Sequence, residues 1–384
     1  MYRKNIRLLK IFNFLIGFTF FAPLAIIYFS RVSGSYTLGA SIFGISMLAS
    51  AIFEVPTGIW SDRMGRRGTI ILGSWVRVLA YIFYALGFSY WWLVGGAILE
   101  GLSRAFYSSN NNTFLYDTLA DNNLVHKYHE FLGKASSMEH LALAISAGLG
   151  GLIAHYSFSW LLWAAVSSQL LLLIISYQFD SPLTRSPQTT NLYTHIKEAL
   201  QLFIKNRKLR LLSLASIIDF SFGEITYQFQ GAFFLTIWPV WAIGLANILS
   251  DVGASISYYF SGYLIRKLTA LKVLILDCTV GYSLAIIGLL LGNRASPVIM
   301  SSGSLLYGSG MVAESHLMQQ EFTDHQRTTM GSLNSLAGNI GFALMSLILG
   351  GLADNLGPRI AMLILMICVL PSTLIYVYLQ KGEK

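Results

Sequence analysis

Gly58-Ile59-Trp60-Ser61-Asp62-Arg63-Met64-Gly65-Arg66-Arg67 sets one acid and three arginines between two apolar runs, residues 37–60 and 69–88. Each run has the roughly 20 residues that a helix needs to cross a hydrocarbon core of about 30 Å. A short charged segment between two such runs reads as a hairpin that turns at a membrane surface. Gly58 and Gly65 are expected to allow close helix approach and a tight turn. Asp62 is placed to face a helix N-terminus, where the dipole favours an anion.

The same reading extends outward along the chain. Of 384 residues 54% are hydrophobic and only 11% are charged, against about 25% charged in soluble domains. Mean hydropathy is +0.59. A soluble protein with so little charge could not cover its surface, so a disordered chain and an ordinary water-soluble enzyme are excluded. Further apolar runs lie near 9–29, 91–119, 135–154 and 159–179, and again near 210–235, 237–262, 272–292, 297–320, 330–353 and 359–379. The expected fold is an all-α polytopic membrane protein with twelve transmembrane helices in two six-helix bundles, 1–179 and 210–384. The polar segment 180–209 joins them. Its start is turn-rich, with Ser181-Pro182 and Ser186-Pro187. Its end, with Leu192, Ile196, Leu200, Phe203 and Ile204 at helical spacing among lysines, reads as an amphipathic helix on the membrane surface.

The net charge of +8 comes from basic residues between apolar runs, which points to membrane orientation rather than nucleic acid. On one side the ends and loops carry 21 Lys and Arg; the other side carries Arg31, Arg294 and Arg359. That asymmetry places both termini in the cytoplasm. Trp91, Trp92, Trp160 and Trp238 cluster at the opposite ends, as an interfacial belt would. The long run after Arg3, Lys4, Arg7 and Lys10 reads as a first span rather than a cleaved signal. Cys278 and Cys368 lie within apolar runs and form no disulfide framework or metal motif. The halves repeat weakly: Leu99-Glu100-Gly101 lines up with Leu306-Tyr307-Gly308, and the same offset pairs Asp117 with Asp324.

The quoted hairpin resembles motif A of the major facilitator superfamily, G-x-x-x-D-R-x-G-R-R, in Gly58, Asp62, Arg63, Gly65, Arg66 and Arg67. The six-plus-six pattern extends the resemblance over the whole chain. It implies two bundles that rock around a central cavity, with the motif tying them together on the cytoplasmic side. Asp117 resembles the acidic partner of its arginines. The matching loop of the second half has lost the motif, with Arg266 at the Asp position. Two patterns of drug–proton antiporters are degraded. Ala97 stands where the fourth-span arginine is expected, and Ser146-Ala147 replaces Gly-Pro ahead of Gly150-Gly151.

Nine acids fall within or at the ends of spans: Glu54, Glu100, Asp117, Glu139, Asp219, Glu224, Asp251, Asp277 and Glu314. The only bases there are Arg77 and Arg104. Each charge at a helix centre costs about 2.5–3.5 kcal/mol on insertion scales, so it must pair, protonate or face water. Glu100 and Arg104 share a helix face four residues apart. Glu54 and Arg77 match in depth at about 1.5 Å per residue and suggest a structural pair. Asp219, Glu224, Asp251 and Glu314 lie deep without an evident base. A desolvated carboxyl holds its proton more tightly, which makes these four the candidates for proton coupling. Glu224 leads, about 14 residues and roughly 21 Å into its span, with Tyr227 and Gln228 one turn on.

Ser108-Ser109-Asn110-Asn111-Asn112-Thr113 breaks the fourth span with polar groups that must find partners inside the protein. Cavity candidates are Asn13, Tyr28, Glu100, Arg104, Asn111, Tyr227, Gln228 and Tyr258. Acids beside aromatics favour a cationic or amphipathic substrate. No phosphate-binding loop, catalytic triad or metal spacing is present, so no cofactor and no enzymatic activity are expected. These readings converge on a monomeric secondary active transporter of the cytoplasmic (inner) membrane. It would export a small organic compound by alternating access with proton coupling. Uptake of a metabolite or siderophore-like nutrient, and a non-transporting receptor or scaffold on the same fold, are the alternatives.

Overall fold

The computed structural model describes residues 2–108, 110–124, 128–181, 203–321 and 327–382, which are helical apart from short turns. The amphipathic helix expected at 192–204 lies outside the described residues, save for a helical turn at 203–205.

The chain forms two compact units. The first comprises Met1–Pro187 with Pro239–Ile248, and the second Gln188–Trp238 with Leu249–Lys384. The first unit holds α1 (Tyr2–Gly17), α2 (Ala25–Ser33), α3 (Tyr36–Met64), α4 (Arg66–Leu86), α5 (Tyr90–Ser108), α6 (Asn110–Ala120), α7 (Tyr128–Tyr156) and α8 (Phe158–Tyr177). The second holds α9 (Arg207–Ile218), a π-helical turn (Asp219–Glu224), α10 (Ile225–Phe234), most of α11 (Val240–Leu268), and α12 (Ala270–Leu291). It continues with α13 (Ser296–Ser302), α14 (Ser304–Glu321), α15 (Arg327–Leu356), α16 (Pro358–Cys368) and α17 (Leu370–Gly382).

Local sequence sets the helix ends. Ser35, Ser157 and Asn206 accept the backbone N–H of Leu38, Trp160 and Leu209 and so cap α3, α8 and α9. Gly65 ends α3 at φ +81°, a conformation that an L side chain would strain, and the motif turns there as expected. A Cβ on Gly58 would meet no atom of the described residues within 4 Å.

Among the described residues nine helices are long and apolar enough to cross a membrane. The sequence led to twelve. The expected fourth, seventh and tenth crossings fall short; among the described residues the seventh is interrupted at the π turn and the tenth at Gly303 between α13 and α14. The first crossing is broken as well, over Phe18–Leu24, where Phe20 has φ +61° and Pro23 starts a short 3₁₀ turn. A lesser break falls at Val369, between α16 and α17.

In lipid, burying apolar surface against a neighbouring helix gains little, so close fit and hydrogen bonds decide packing. Gly101 and Gly308, paired by the weak sequence repeat, do the same work in each unit. A Cβ on Gly101 would lie 2.6 Å from Ala49 Cβ on α3, and one on Gly308 would lie 2.5 Å from Tyr258 N on α11. Serines complete the second seam: Ser309 N donates to Ser257 Oγ (2.9 Å) and Ser309 Oγ to the Ser257 carbonyl (2.8 Å).

Candidate transport site

In the first unit the motif A hairpin is held by a network that only partly matches the expectation. Arg66 Nε lies 3.8 Å from Asp117 Oδ2, an electrostatic contact rather than a hydrogen bond. Arg66 Nη1 donates to Ser61 Oγ (2.8 Å), which bonds Asn110 Oδ1 (2.9 Å). Asn110 Nδ2 in turn donates to the Arg66 carbonyl (2.9 Å). Asn110 is 1% exposed and Asp117 fully buried. The sequence marked Asn111 as a cavity liner, yet its neighbour Asn110 ties α6 to the motif; Asn111 Oδ1 is buried without a hydrogen bond to any described residue. Arg67 turns away from Asp117 and donates to the Tyr177 carbonyl at the end of α8 (2.9 Å). Arg63 is exposed, and the side chain of Asp62 lies outside the described residues.

The Glu54–Arg77 pair does not form. Arg77, 5% exposed, donates to Gln169 Oε1 on α8 (2.8 Å) and to the Ile16 carbonyl (2.9 Å), and its guanidinium stacks over Tyr81. Matching depth fixed the height of the two residues but not the side of the helix each one faces. The Glu100–Arg104 pair forms at 3.4 Å, and the Tyr84 hydroxyl donates to the other Glu100 oxygen (2.8 Å). Glu139 lies within electrostatic reach of Arg77 and Arg104. Tyr28 is taken up by packing: it is 8% exposed, and its hydroxyl donates to the Tyr84 carbonyl (2.6 Å). That geometry removes it from the cavity candidates. Asn13 is half-buried on α1.

The second unit gathers acids in two groups around the π turn. Hydrogen bonding from i to i+5 widens the helix there, a departure that recurs at functional sites. At its start Asp219 accepts from Tyr282 on α12 (2.5 Å) and Tyr376 on α17 (3.1 Å), with Cys278 Sγ 3.8 Å away. Asp277 and Glu314 interact electrostatically with Asp219. Asp277 can reach this position because α14 carries no side chain opposite it; a Cβ on Gly310 would lie 2.5 Å from the Asp277 carboxyl carbon. Tyr282, Tyr376 and the role of Asp277 were not read from the sequence, since tyrosines on distant spans carry no local signal. At the end of the turn Glu224 accepts from Gln228 Nε2 (2.8 Å). Tyr227 interacts with both Glu224 and Asp251, and Tyr307 with Glu224 and Tyr258. Among the described residues no group of three His, Cys, Asp or Glu can hold a metal ion.

Charge is distributed unequally. In the first unit Glu54, Glu100, Asp117 and Glu139 share the crossings with Arg77 and Arg104. In the second, the five carboxyls Asp219, Glu224, Asp251, Asp277 and Glu314 stand in stretches 211–265, 273–293 and 295–320, which contain no Lys or Arg.

A model of the Major Facilitator Superfamily matches residues 8–344. The chain belongs to the major facilitator superfamily. It is similar to an uncharacterized transporter of Buchnera aphidicola, 26% identical over 55% of this chain and 53% of that protein, so the match spans about half the relative's length. It is also similar to Multidrug resistance protein 2 of Bacillus subtilis, 25% identical over 71% of this chain and 68% of that one. A crystal structure of the nucleoside transporter NupG superimposes with a TM-score of 0.82 over 97% of this chain and 99% of that one, at 11% identity, which establishes the fold alone. The protein is therefore a multi-pass membrane transporter and not an enzyme.

Proposed function

We propose that this superfamily member exports a small cationic or amphipathic organic compound from the cytoplasm in exchange for protons. Both termini would face the cytoplasm, and the two halves of the chain would alternate as bundles. The observation that carries the reading is the second unit's set of five membrane-embedded carboxyls in stretches devoid of lysine and arginine. Carboxyls gathered in a low dielectric repel one another when all are ionised, and a proton or a cationic substrate relieves that repulsion. The same charge thus recognises both ligands, which is the minimum for exchange. Asp219, held by two tyrosine hydroxyls, and Glu224, held by Gln228, are the proton-binding positions. Asp251, Tyr227, Gln228 and Tyr258 supply substrate contacts. In the first unit Arg66, with Asp117, Ser61 and Asn110, stabilises one of the two states. Each ligand shifts that balance only through its differential affinity for the two states. The relative named for multidrug resistance is in keeping with an organic compound as the substrate.

The test is a reconstituted liposome with an imposed pH gradient, reading uptake of a fluorescent lipophilic cation. Gradient-driven accumulation is expected in the wild type. Asp219→Asn and Glu224→Gln should each lower it about tenfold or more while substrate exchange without a gradient persists. Accumulation with unchanged pH dependence in both variants would overturn the assignment.

A further inference from the structure

Arg66 and Arg67 are neighbours in motif A, yet only Arg66 faces Asp117. Arg67 lines a cavity of about 660 Å³ in the first unit, with Lys4, Tyr177, Gln178, Asp180 and Ser181. Its frame is fixed. Asn5 Nδ2 donates to the Asp180 carbonyl (2.9 Å) and Asp180 N donates to Asn5 Oδ1 (3.0 Å), clamping the start of α1 to the end of α8. Lys4 Nζ lies 2.8 Å from Asp180 Oδ1 but keeps half its side chain exposed. Arg67 spends one N–H on the Tyr177 carbonyl, and its buried Nε has no hydrogen-bond partner among the described residues. Lys4 and Arg67 thus line the cavity with one carboxylate, that of Asp180, which Lys4 engages, leaving a net positive charge. Arg3, Arg7 and Lys10 line a second depression, of about 300 Å³, on the other flank of α1, so the surroundings are basic too.

An apolar seam runs along α4 and α8 from the mouth of this cavity. Trp75, two turns above Arg67, donates its indole N–H to the Tyr177 hydroxyl (2.9 Å), as ring pairs do at a membrane interface. Beyond it Leu79 on α4 and Ile174 and Leu171 on α8 are 43–56% exposed. On a membrane crossing such side chains meet acyl chains. A free phosphate compound would use the cations and ignore the seam; a phospholipid would use both.

We infer that this cavity binds the headgroup phosphate of an anionic phospholipid through Arg67 and Lys4, its acyl chains lying along the α4–α8 seam. The inference is independent of the transported substrate. Basic residues near a membrane surface contribute about 1 kcal/mol each toward anionic lipid, or roughly fivefold in affinity.

Native mass spectrometry of the full chain, purified with an equimolar mixture of phosphatidylglycerol and phosphatidylcholine, tests it. The wild type should retain phosphatidylglycerol selectively. Arg67→Gln and Lys4→Gln should each reduce that preference about fivefold, while Lys381→Gln, at the far end of the chain, should leave it intact. Excess sn-glycerol 3-phosphate should not displace the lipid. Lys4 is half-exposed, so its variant keeps the test valid even where Arg67→Gln fails to fold. Undiminished preference in Lys4→Gln overturns the inference, as does displacement of the lipid by glycerol phosphate, which would mark a site for soluble phosphates.

Discussion

Arg77 shows how a single buried charge is accommodated. Its guanidinium is satisfied by an amide oxygen, a main-chain carbonyl and a tyrosine ring rather than by a carboxylate. Gln169→Leu would leave Nε of a buried cation without an acceptor, which costs about 1.5–3 kcal/mol. Arg77→Met removes the charge together with its demand and should cost less. Thermal unfolding in detergent is expected to place Gln169→Leu below Arg77→Met; the reverse order would show that the pair contributes net stability. The same site explains what the sequence could reveal. Glu100 and Arg104 were legible because four residues on one helix fix both height and direction. Glu54 and Arg77 were not, since they sit on different helices and composition fixes only depth. The tyrosines around Asp219 were illegible for the same reason: Tyr282 and Tyr376 are 63 and 157 residues away in the chain.

At the level of the element, the interrupted crossings carry most of the chemistry. Length and hydropathy identified helices that lipid alone could stabilise, and nine of them meet that standard among the described residues. Segments 90–108 and 110–120 do not, because they hold Glu100, Arg104 and Asp117, and neither do 207–234 and 296–321, which hold Asp219, Glu224 and Glu314 along with their breaks. The π turn is the clearest case. One extra residue per turn presents Asp219 and Glu224 differently from a regular helix, where positions five apart diverge by about 140°. Deleting Gly223, whose Cα faces open space, lets the segment close into α-helical hydrogen bonding. The variant should keep its helical circular dichroism and lose gradient-driven accumulation. Retained accumulation would show that the wide turn is dispensable.

For the whole molecule, orientation follows from charge. With 21 basic residues on one side against three on the other, a fluorescent protein fused after Lys384 should fold and glow in the cytoplasm, and alkaline phosphatase at that site should be inactive. The opposite pair of results would invert the exchange direction proposed above. Arg77 and Arg104 accompany the acids within the first unit's apolar runs, whereas stretches 211–265, 273–293 and 295–320 of the second hold acids without bases, so the two halves have diverged electrically while keeping the glycine contacts of Gly101 and Gly308.

Cys278 turns this arrangement into its own gauge. Its sulfur touches the Asp219 carboxylate, and maleimides react only with a wetted, ionised thiol. With the exposed Cys368 changed to serine, labelling of the remaining sulfhydryl would clock how often solvent visits that recess. Under the exchange proposed above, saturating the carrier with its cargo should slow the clock severalfold.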